Sequence, residues 1–229
     1  MTIAENVARV RARLAAASRR AGRDPADVRL IGASAAYKGV TPAQMEAALD
    51  AGLRDFGENR VQEAEAHIAA LGRRAREATW HLIGHLQTNK VAAALPLFAI
   101  IHSVDSSRLA EQLSRRASAC LEGQARLRIL LEVNVAGETS KFGFAPAEVS
   151  DAVAAIGRLP YLDLAGLMTV APATDDPETV RPVFSELREL ARASGLAELS
   201  MGMTDDFEVA IEEGATMIRV GRAIFGERP

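Results

Sequence analysis

The feature that most constrains the fold of this chain is an alternation of short apolar stretches with helical patterns, repeated eight times. The predicted strands lie at residues 28–34, 55–57, 80–84, 98–104, 128–135, 162–167, 198–200 and 215–220. Strands that alternate with helices form parallel sheets whose faces the helices cover. Eight such units in 229 residues favour a single (β/α)8 TIM barrel, of the α/β class, over an open doubly wound sheet.

An extra helix is predicted ahead of the first strand, at residues 3–21. Its apolar residues Ile3, Val7 and Val10 recur at helical spacing, and Gly22 marks its end. No change of composition marks a linker, so residues 1–229 are predicted to form one domain.

Composition and charge exclude several classes of function. The net charge is −3, with 25% charged and 48% hydrophobic residues, so a nucleic-acid partner is not expected. The first residues lack the pattern of a signal peptide, and no apolar run is long enough to span a membrane. Cys120 is the only cysteine, which predicts a reducing cytoplasmic location without an intrachain disulfide.

The end of the barrel where the strands finish is the predicted functional face, because side chains there carry the chemistry of such barrels. The residues at or just after predicted strand ends are Lys38, Asn59, His85, Asn134, Met168, Ser200 and Arg219. The chain has only three lysines among its 27 basic residues, so a lysine at this face is a candidate for amine chemistry.

Two glycine-containing turns near the carboxyl end, at residues 200–206 and 216–226, each join a predicted strand to a helix. Such turns can aim backbone N–H groups at one phosphate. The alternative is that Gly202 and Gly221 only permit tight turns.

Lys38 follows the first strand among small and apolar residues. An ammonium that loses water there gives up its proton more readily, and the neutral amine attacks aldehydes. Arg219 would place a permanent cation in the same mouth, where it would keep an aromatic ring nitrogen unprotonated. The histidines form no evident acid–base or metal set, so no catalytic residue and no metal ligand is predicted.

Several motifs together resemble the pyridoxal phosphate homeostasis proteins (the YggS/PROSC-like family). These motifs are FGENRVQE at 56–63, WHLIG at 80–84, LQTNK at 86–90, SKFGF at 140–144, GLMT at 166–169 and SMGMTDDF at 200–207. The family is similar to the barrel domain of alanine racemase but lacks that enzyme's second domain. The resemblance covers most of the chain, in order.

The resemblance implies that pyridoxal 5′-phosphate (PLP) binds as an imine on Lys38 and that Arg219 contacts its ring nitrogen. The other implied contacts are Ser200, Gly202, Gly221 and Arg222 to the phosphate, the last two through backbone N–H, and Asn59 and Met168 to the ring. The implied function is PLP homeostasis without established turnover. The expected partners are PLP and PLP-dependent apo-enzymes, and the expected state is a monomer.

One departure from the family concerns the lysine itself. The family runs directly from the strand into Ser-Lys or Thr-Lys, whereas residues 35–37 separate Ser34 from Lys38 here. Either these residues bulge and Lys38 still reaches the cofactor, or only phosphate binding remains. The bulge is favoured, because no other lysine lies nearby.

Two other classes of function remain open. A PLP-dependent racemase or lyase of the same barrel class normally needs a second base, often from another domain, and 229 residues leave little room for one. A pure interaction scaffold would bind partner enzymes without binding the cofactor.

Overall fold

The computed structural model describes residues 1–34, 40–120, 126–138 and 141–226, and its centre is a closed barrel of eight parallel strands. The strands are β1 (Arg29–Ala33), β2 (Asp55–Glu58), β3 (Thr79–Leu82), β4 (Ile100–Val104), β5 (Leu127–Glu132), β6 (Leu162–Met168), β7 (Glu198–Ser200) and β8 (Met217–Val220). Each strand pairs with the next in sequence, and β8 closes on β1. The predicted (β/α)8 barrel is therefore confirmed.

Helices connect the strands along the outside of the barrel. They are α1 (Ile3–Arg20), α2 (Pro42–Asp50), α3 (Val61–Leu71), α4 (Val91–Ala94), α5 (Ser107–Cys120), α6 (Val149–Ile156), α7 (Arg181–Ala193), α8 (Phe207–Glu212) and α9 (Arg222–Phe225). Capping boxes start α1 at Thr2 and α2 at Thr41, because each threonine side chain accepts from the third helical N–H. Within the described residues, no helix combines the length and apolar character needed to cross a bilayer.

Two predicted boundaries differ from the structure for identifiable reasons. The fifth strand ends at Glu132 because the chain beyond it pairs with its own loop: Phe144 N donates to Glu132 O and Asn134 N donates to Phe144 O, both at 2.9 Å. Helix α8 begins at Phe207 because the Asp206 carboxylate accepts from the Met203 N–H at 2.5 Å, which closes a turn before the helix.

Apolar residues form two separate cores. Five side chains from five strands fill the inside of the barrel, namely Ile31, Ile100, Leu130, Met168 and Met217. A much larger cluster lies between the sheet and the helices. Inward and outward faces thus alternate along each strand, so a polar residue on an inward position lies inside the barrel.

The predicted N-terminal helix is present, and it packs on the outside of the barrel where a full eighth helix would lie. Its apolar face is buried against α8, α9 and α2, and α9 itself has only four residues. Asn6 on α1 donates from Nδ2 to the Ile224 carbonyl at 2.8 Å. Helix α1 therefore seals the seam between β8 and β1.

Candidate functional site

The barrel mouth, meaning the carboxyl ends of the strands, gathers most of the residues expected to form the site. Asn59 directly follows β2, Met168 ends β6, Ser200 ends β7 and Arg219 lies in β8. Lys38 belongs to residues 35–39, which lie outside the described part of the chain.

Arg219 is a buried cation at this mouth, only 4% exposed. It donates from Nη1 to Ser200 Oγ at 2.7 Å and from Nη2 to the Thr169 carbonyl at 2.8 Å. Burial lowers its pKa to about 10, against the opposing charges of Asp206 and Glu132. Both of these hydrogen-bond acceptors are neutral, and a pKa of about 10 leaves the guanidinium charged at neutral pH.

Ser200 lies inside the barrel rather than at its surface, with no exposed area. Its hydroxyl contacts Arg219 and, at 2.8 Å, the Nδ1 atom of His102. A phosphate contact from this hydroxyl would require its proton to turn away from His102. The phosphate role expected for Ser200 stays a prediction.

A buried chain of hydrogen bonds extends from Arg219 through Ser200 to the other end of the barrel. His102 Nε2 lies 2.9 Å from His81 Nδ1, and His81 Nε2 lies 2.9 Å from Asp55 Oδ1. Burial lowers the pKa of His102 well below its usual value, and the charges of His81 and Arg219 lower it further. His102 is therefore a neutral imidazole.

No acid–base or metal set was predicted among the histidines, so the link between His81 and His102 was missed. Their positions in the sequence could have indicated the link. Each histidine sits in an apolar strand of a parallel barrel, where an inward polar side chain must find a partner from another strand.

The two glycine turns expected to hold a phosphate are adjacent in space. Arg219 N donates to Gly202 O at 2.9 Å, and the Arg222 side chain pairs with Asp205 of the other turn. Gly221 immediately precedes α9, whose first N–H groups lack partners within the helix. The structure thus brings Gly202, Gly221 and Arg222 together.

Close packing also requires a glycine at position 202. Its φ is +91°, and a Cβ at this position would lie 2.6 Å from Ala210 Cβ and 2.9 Å from Phe207 Cα. Helix α8 therefore packs directly on the backbone of this turn. The turn's shape depends on glycine whether or not a phosphate binds there.

The two residues expected to flank the ring differ in burial. Met168 is fully buried in the cluster inside the barrel, below the mouth. Asn59 lines a surface groove with Gly84 and His85, and a Cβ on Gly84 would lie 2.5 Å from Asn59 O. Gly84 therefore allows the loop after β3 to approach Asn59 closely.

The mouth also contains an acidic group that the sequence did not single out. Burial, and next the nearby Asp105, raise the pKa of Glu132, at the end of β5, to about 7 against the charge of Arg219. His85 lies 2.8 Å from Asp105 through Nδ1 and stacks on the exposed ring of Phe142, with centroids 3.9 Å apart. A carboxyl with this pKa changes its charge near neutral pH.

His67 lies in α3 and contacts two other segments of the chain. Its Nδ1 lies 2.8 Å from Oε1 of the fully buried Glu58, and its Nε2 lies 3.1 Å from the Val40 carbonyl. The hydrogen bond to Glu58 raises the pKa of His67, although partial burial opposes it. His67 therefore joins β2 to the residue that follows the Lys38 segment.

The fold and the mouth define a barrel of the alanine racemase type, and the profile of the alanine racemase N-terminal domain family matches residues 5–229. Curated relatives named pyridoxal phosphate homeostasis protein include one from Pseudomonas aeruginosa, 44% identical over 99% of this chain and 96% of the relative. The one from Aquifex aeolicus is 41% identical over 100% of this chain and 99% of the relative. This chain belongs to the pyridoxal phosphate homeostasis protein family.

A solved structure supports the same relationship. PipY of Synechococcus elongatus, with PLP bound, aligns with a TM-score of 0.81 and 37% identity. The alignment covers 98% of this chain and 100% of PipY.

Proposed function

We propose that this protein binds PLP at the barrel mouth and acts in PLP homeostasis, holding and delivering the cofactor without turning over a substrate. The observation that carries this proposal is the PLP bound to PipY, a relative of the same length and fold. The names of the curated relatives agree with it.

The positive charge of Arg219 at the barrel mouth is compatible with PLP. Arg219 is buried, keeps a positive charge and bonds two neutral acceptors. A cation at this place favours an unprotonated ring nitrogen, because a second positive charge beside it would be costly. PLP in that state supplies a weaker electron sink, which suits storage better than carbanion chemistry.

The remaining contacts are proposed from the family resemblance and supported by the adjacency of the two turns. Lys38 would hold the aldehyde carbon as an imine. The proposed phosphate contacts are Ser200, Gly202, Gly221 and Arg222, and the proposed ring contacts are Asn59 and Met168. We also propose that the protein is a cytoplasmic monomer and that PLP-dependent apo-enzymes receive its cofactor.

Absorbance spectroscopy tests the attachment. Purified protein mixed with PLP should develop the visible band of a lysine imine, and borohydride should bleach that band. Lys38→Ala should abolish it, whereas Lys90→Ala, a lysine on the same face, should retain it. The absence of the band from wild-type protein would refute the imine proposal, and its persistence in Lys38→Ala would reassign the lysine.

Isotope exchange tests the absence of turnover. The protein loaded with PLP should not exchange the Cα hydrogen of amino acids with deuterated solvent above background. Exchange that depends on Lys38 would identify a racemase or lyase instead.

A further inference from the structure

The buried chain of Asp55, His81, His102, Ser200 and Arg219 contains three residues that the proposed PLP contacts do not use. We infer that His102 and His81 are positioning residues: they orient the Ser200 hydroxyl so that its oxygen holds Arg219 in place for the cofactor's ring nitrogen. This inference rests on the proposed function and adds residues that reach the cofactor only through Arg219.

The two ends of the chain fix the direction of its outermost hydrogen bonds. Arg219 can only donate, and the carboxylate of Asp55 can only accept. His81 must therefore donate from Nε2 to Asp55 Oδ1, at 2.9 Å. The bond between His81 Nδ1 and His102 Nε2, also 2.9 Å long, has two arrangements: His102 donates when His81 Nδ1 carries no proton, and it accepts when His81 Nδ1 carries one.

The same logic orients the serine. The neutral His102 carries one proton, so its Nδ1 either accepts the Ser200 hydroxyl hydrogen or donates to Ser200 Oγ, 2.8 Å away. In both arrangements the serine oxygen turns a lone pair toward Arg219 Nη1, 2.7 Å away. If the hydroxyl proton pointed at Arg219, two donors would face each other.

The geometry of Arg219 follows from this arrangement. Ser200 Oγ holds one terminal nitrogen of the guanidinium and the Thr169 carbonyl holds the other, so the plane of the group is fixed before a ligand arrives. A group that is already oriented loses less conformational freedom on binding. Breaking the chain at His102 therefore weakens the contact between Arg219 and the ring nitrogen, whereas the proposed phosphate contact of Ser200 is common to ligands with and without that nitrogen.

Two ligands separate this positioning role from a general structural one. The first is PLP, and the second is its carbocyclic analogue, in which C–H replaces the ring nitrogen. In His102→Leu we expect the Kd for PLP to rise about tenfold, about 1.4 kcal/mol, while the Kd for the analogue changes less than about twofold. His102→Asn keeps an acceptor near Ser200 and should recover PLP binding to within about threefold of wild type.

The outcomes are distinct. Equal losses for both ligands, or no loss for PLP in His102→Leu, would overturn the inference while leaving the proposed function intact. A wild-type protein that binds neither ligand would overturn the proposed function and, with it, the role of the chain toward PLP.

A second measurement leaves the five residues of this hydrogen-bond chain unchanged. Nitrogen NMR of the imidazoles, with the signals of His67 and His85 identified by comparison with His67→Gln and His85→Gln, should show that the His102 ring carries a single proton at neutral pH. A doubly protonated His102 at this pH would refute the neutral imidazole on which the derivation depends.

Discussion

At the scale of single residues, Arg219 is the group on which the proposed site depends most. It is buried, and its two hydrogen-bond acceptors in the described part of the chain carry no formal charge. Most buried arginines bond a carboxylate, because an uncompensated buried charge is costly. Arg219 is influenced by the charges of Asp206 and Glu132, but its hydrogen bonds in the described part of the chain go to neutral acceptors, which supports the proposed contact with a ligand.

Replacement of Arg219 tests this reading. Arg219→Gln should raise the Kd for PLP at least about tenfold, because a hydrogen bond from a charged donor contributes about 1.5–3 kcal/mol. Equilibrium dialysis with PLP measures the change. Arg60→Gln, at an exposed arginine near the same face, should bind PLP like wild type. Similar losses in both variants would refute a specific role for Arg219.

Gly202 gives a prediction about stability that needs no ligand. Gly202→Ala should lower the free energy of unfolding by about 2–4 kcal/mol, because the new Cβ meets α8 and the φ of +91° disfavours alanine. Gly195→Ala is the matched control: its φ is +69°, but no atom lies within 4 Å of the new Cβ. Urea unfolding should show a loss of only about 1 kcal/mol there. Equal losses would contradict the packing explanation.

At the scale of elements, His67 connects α3 to β2 and to Val40, two residues before α2. The Val40 carbonyl can only accept, so His67 Nε2 carries a proton. The contact to Glu58 Oε1 then places a second proton on Nδ1 when the ring is charged. The raised pKa of His67 agrees with a charged ring that donates twice.

This arrangement makes part of the stability depend on pH. The folded protein binds the His67 proton more tightly than the unfolded chain does, so the contribution is complete below about pH 6.5 and is lost as pH rises through the higher folded pKa. We expect it to be about 1–2 kcal/mol. Urea unfolding at a series of pH values should show that the difference between wild type and His67→Gln shrinks as pH rises. A constant difference would contradict the prediction.

The sequence predicted the order of the elements well because each one is marked locally. Apolar runs marked the eight strands, and strand ends brought Asn59, Met168, Ser200 and Arg219 to the mouth. Partners across the barrel were not predictable in this way. His102 meets a residue 98 positions away, and the period of a strand indicates which face a side chain takes but not which strand supplies its partner.

The resemblance predicted the family. Glu132, the acidic group at the mouth, was not predicted. Glu132 lies inside the predicted strand 128–135, and the period of a strand does not show whether a glutamate there is buried beside another carboxylate. Its raised pKa comes from burial and from Asp105, which belongs to another strand's loop. The pKa of this carboxyl is therefore raised only once the barrel has closed.

At the scale of the whole molecule, α1 connects the beginning of the described chain to its end. Asn6 bonds the carbonyl of Ile224 in α9, and Arg13 pairs with Glu208 of α8 at 2.6 Å. The apolar face of α1 belongs to the same core as the strands' outer faces. We therefore propose that residues 1–229 unfold as one unit.

The single tryptophan allows a test, because Trp80 lies in β3, far along the chain from α1. Asn6→Ala should lower the free energy of unfolding by about 1–3 kcal/mol, since the Ile224 carbonyl loses its buried donor. Trp80 fluorescence and far-ultraviolet circular dichroism should report the same shifted midpoint. Separate midpoints would show that α1 unfolds independently of the barrel.

The packing of α1 over the seam between β8 and β1 has a consequence for synthesis of the chain in the cell. Asn6 and Ile224 are 218 positions apart, so a ribosome releases the first long before it makes the second. During that interval the seam between β8 and β1 stays open, and contacts so distant in sequence form slowly. Arg219 itself is translated near the end of this interval. The proposed PLP site therefore lacks Arg219 until residue 219 has been made, and a shorter nascent chain is not expected to bind the cofactor through it.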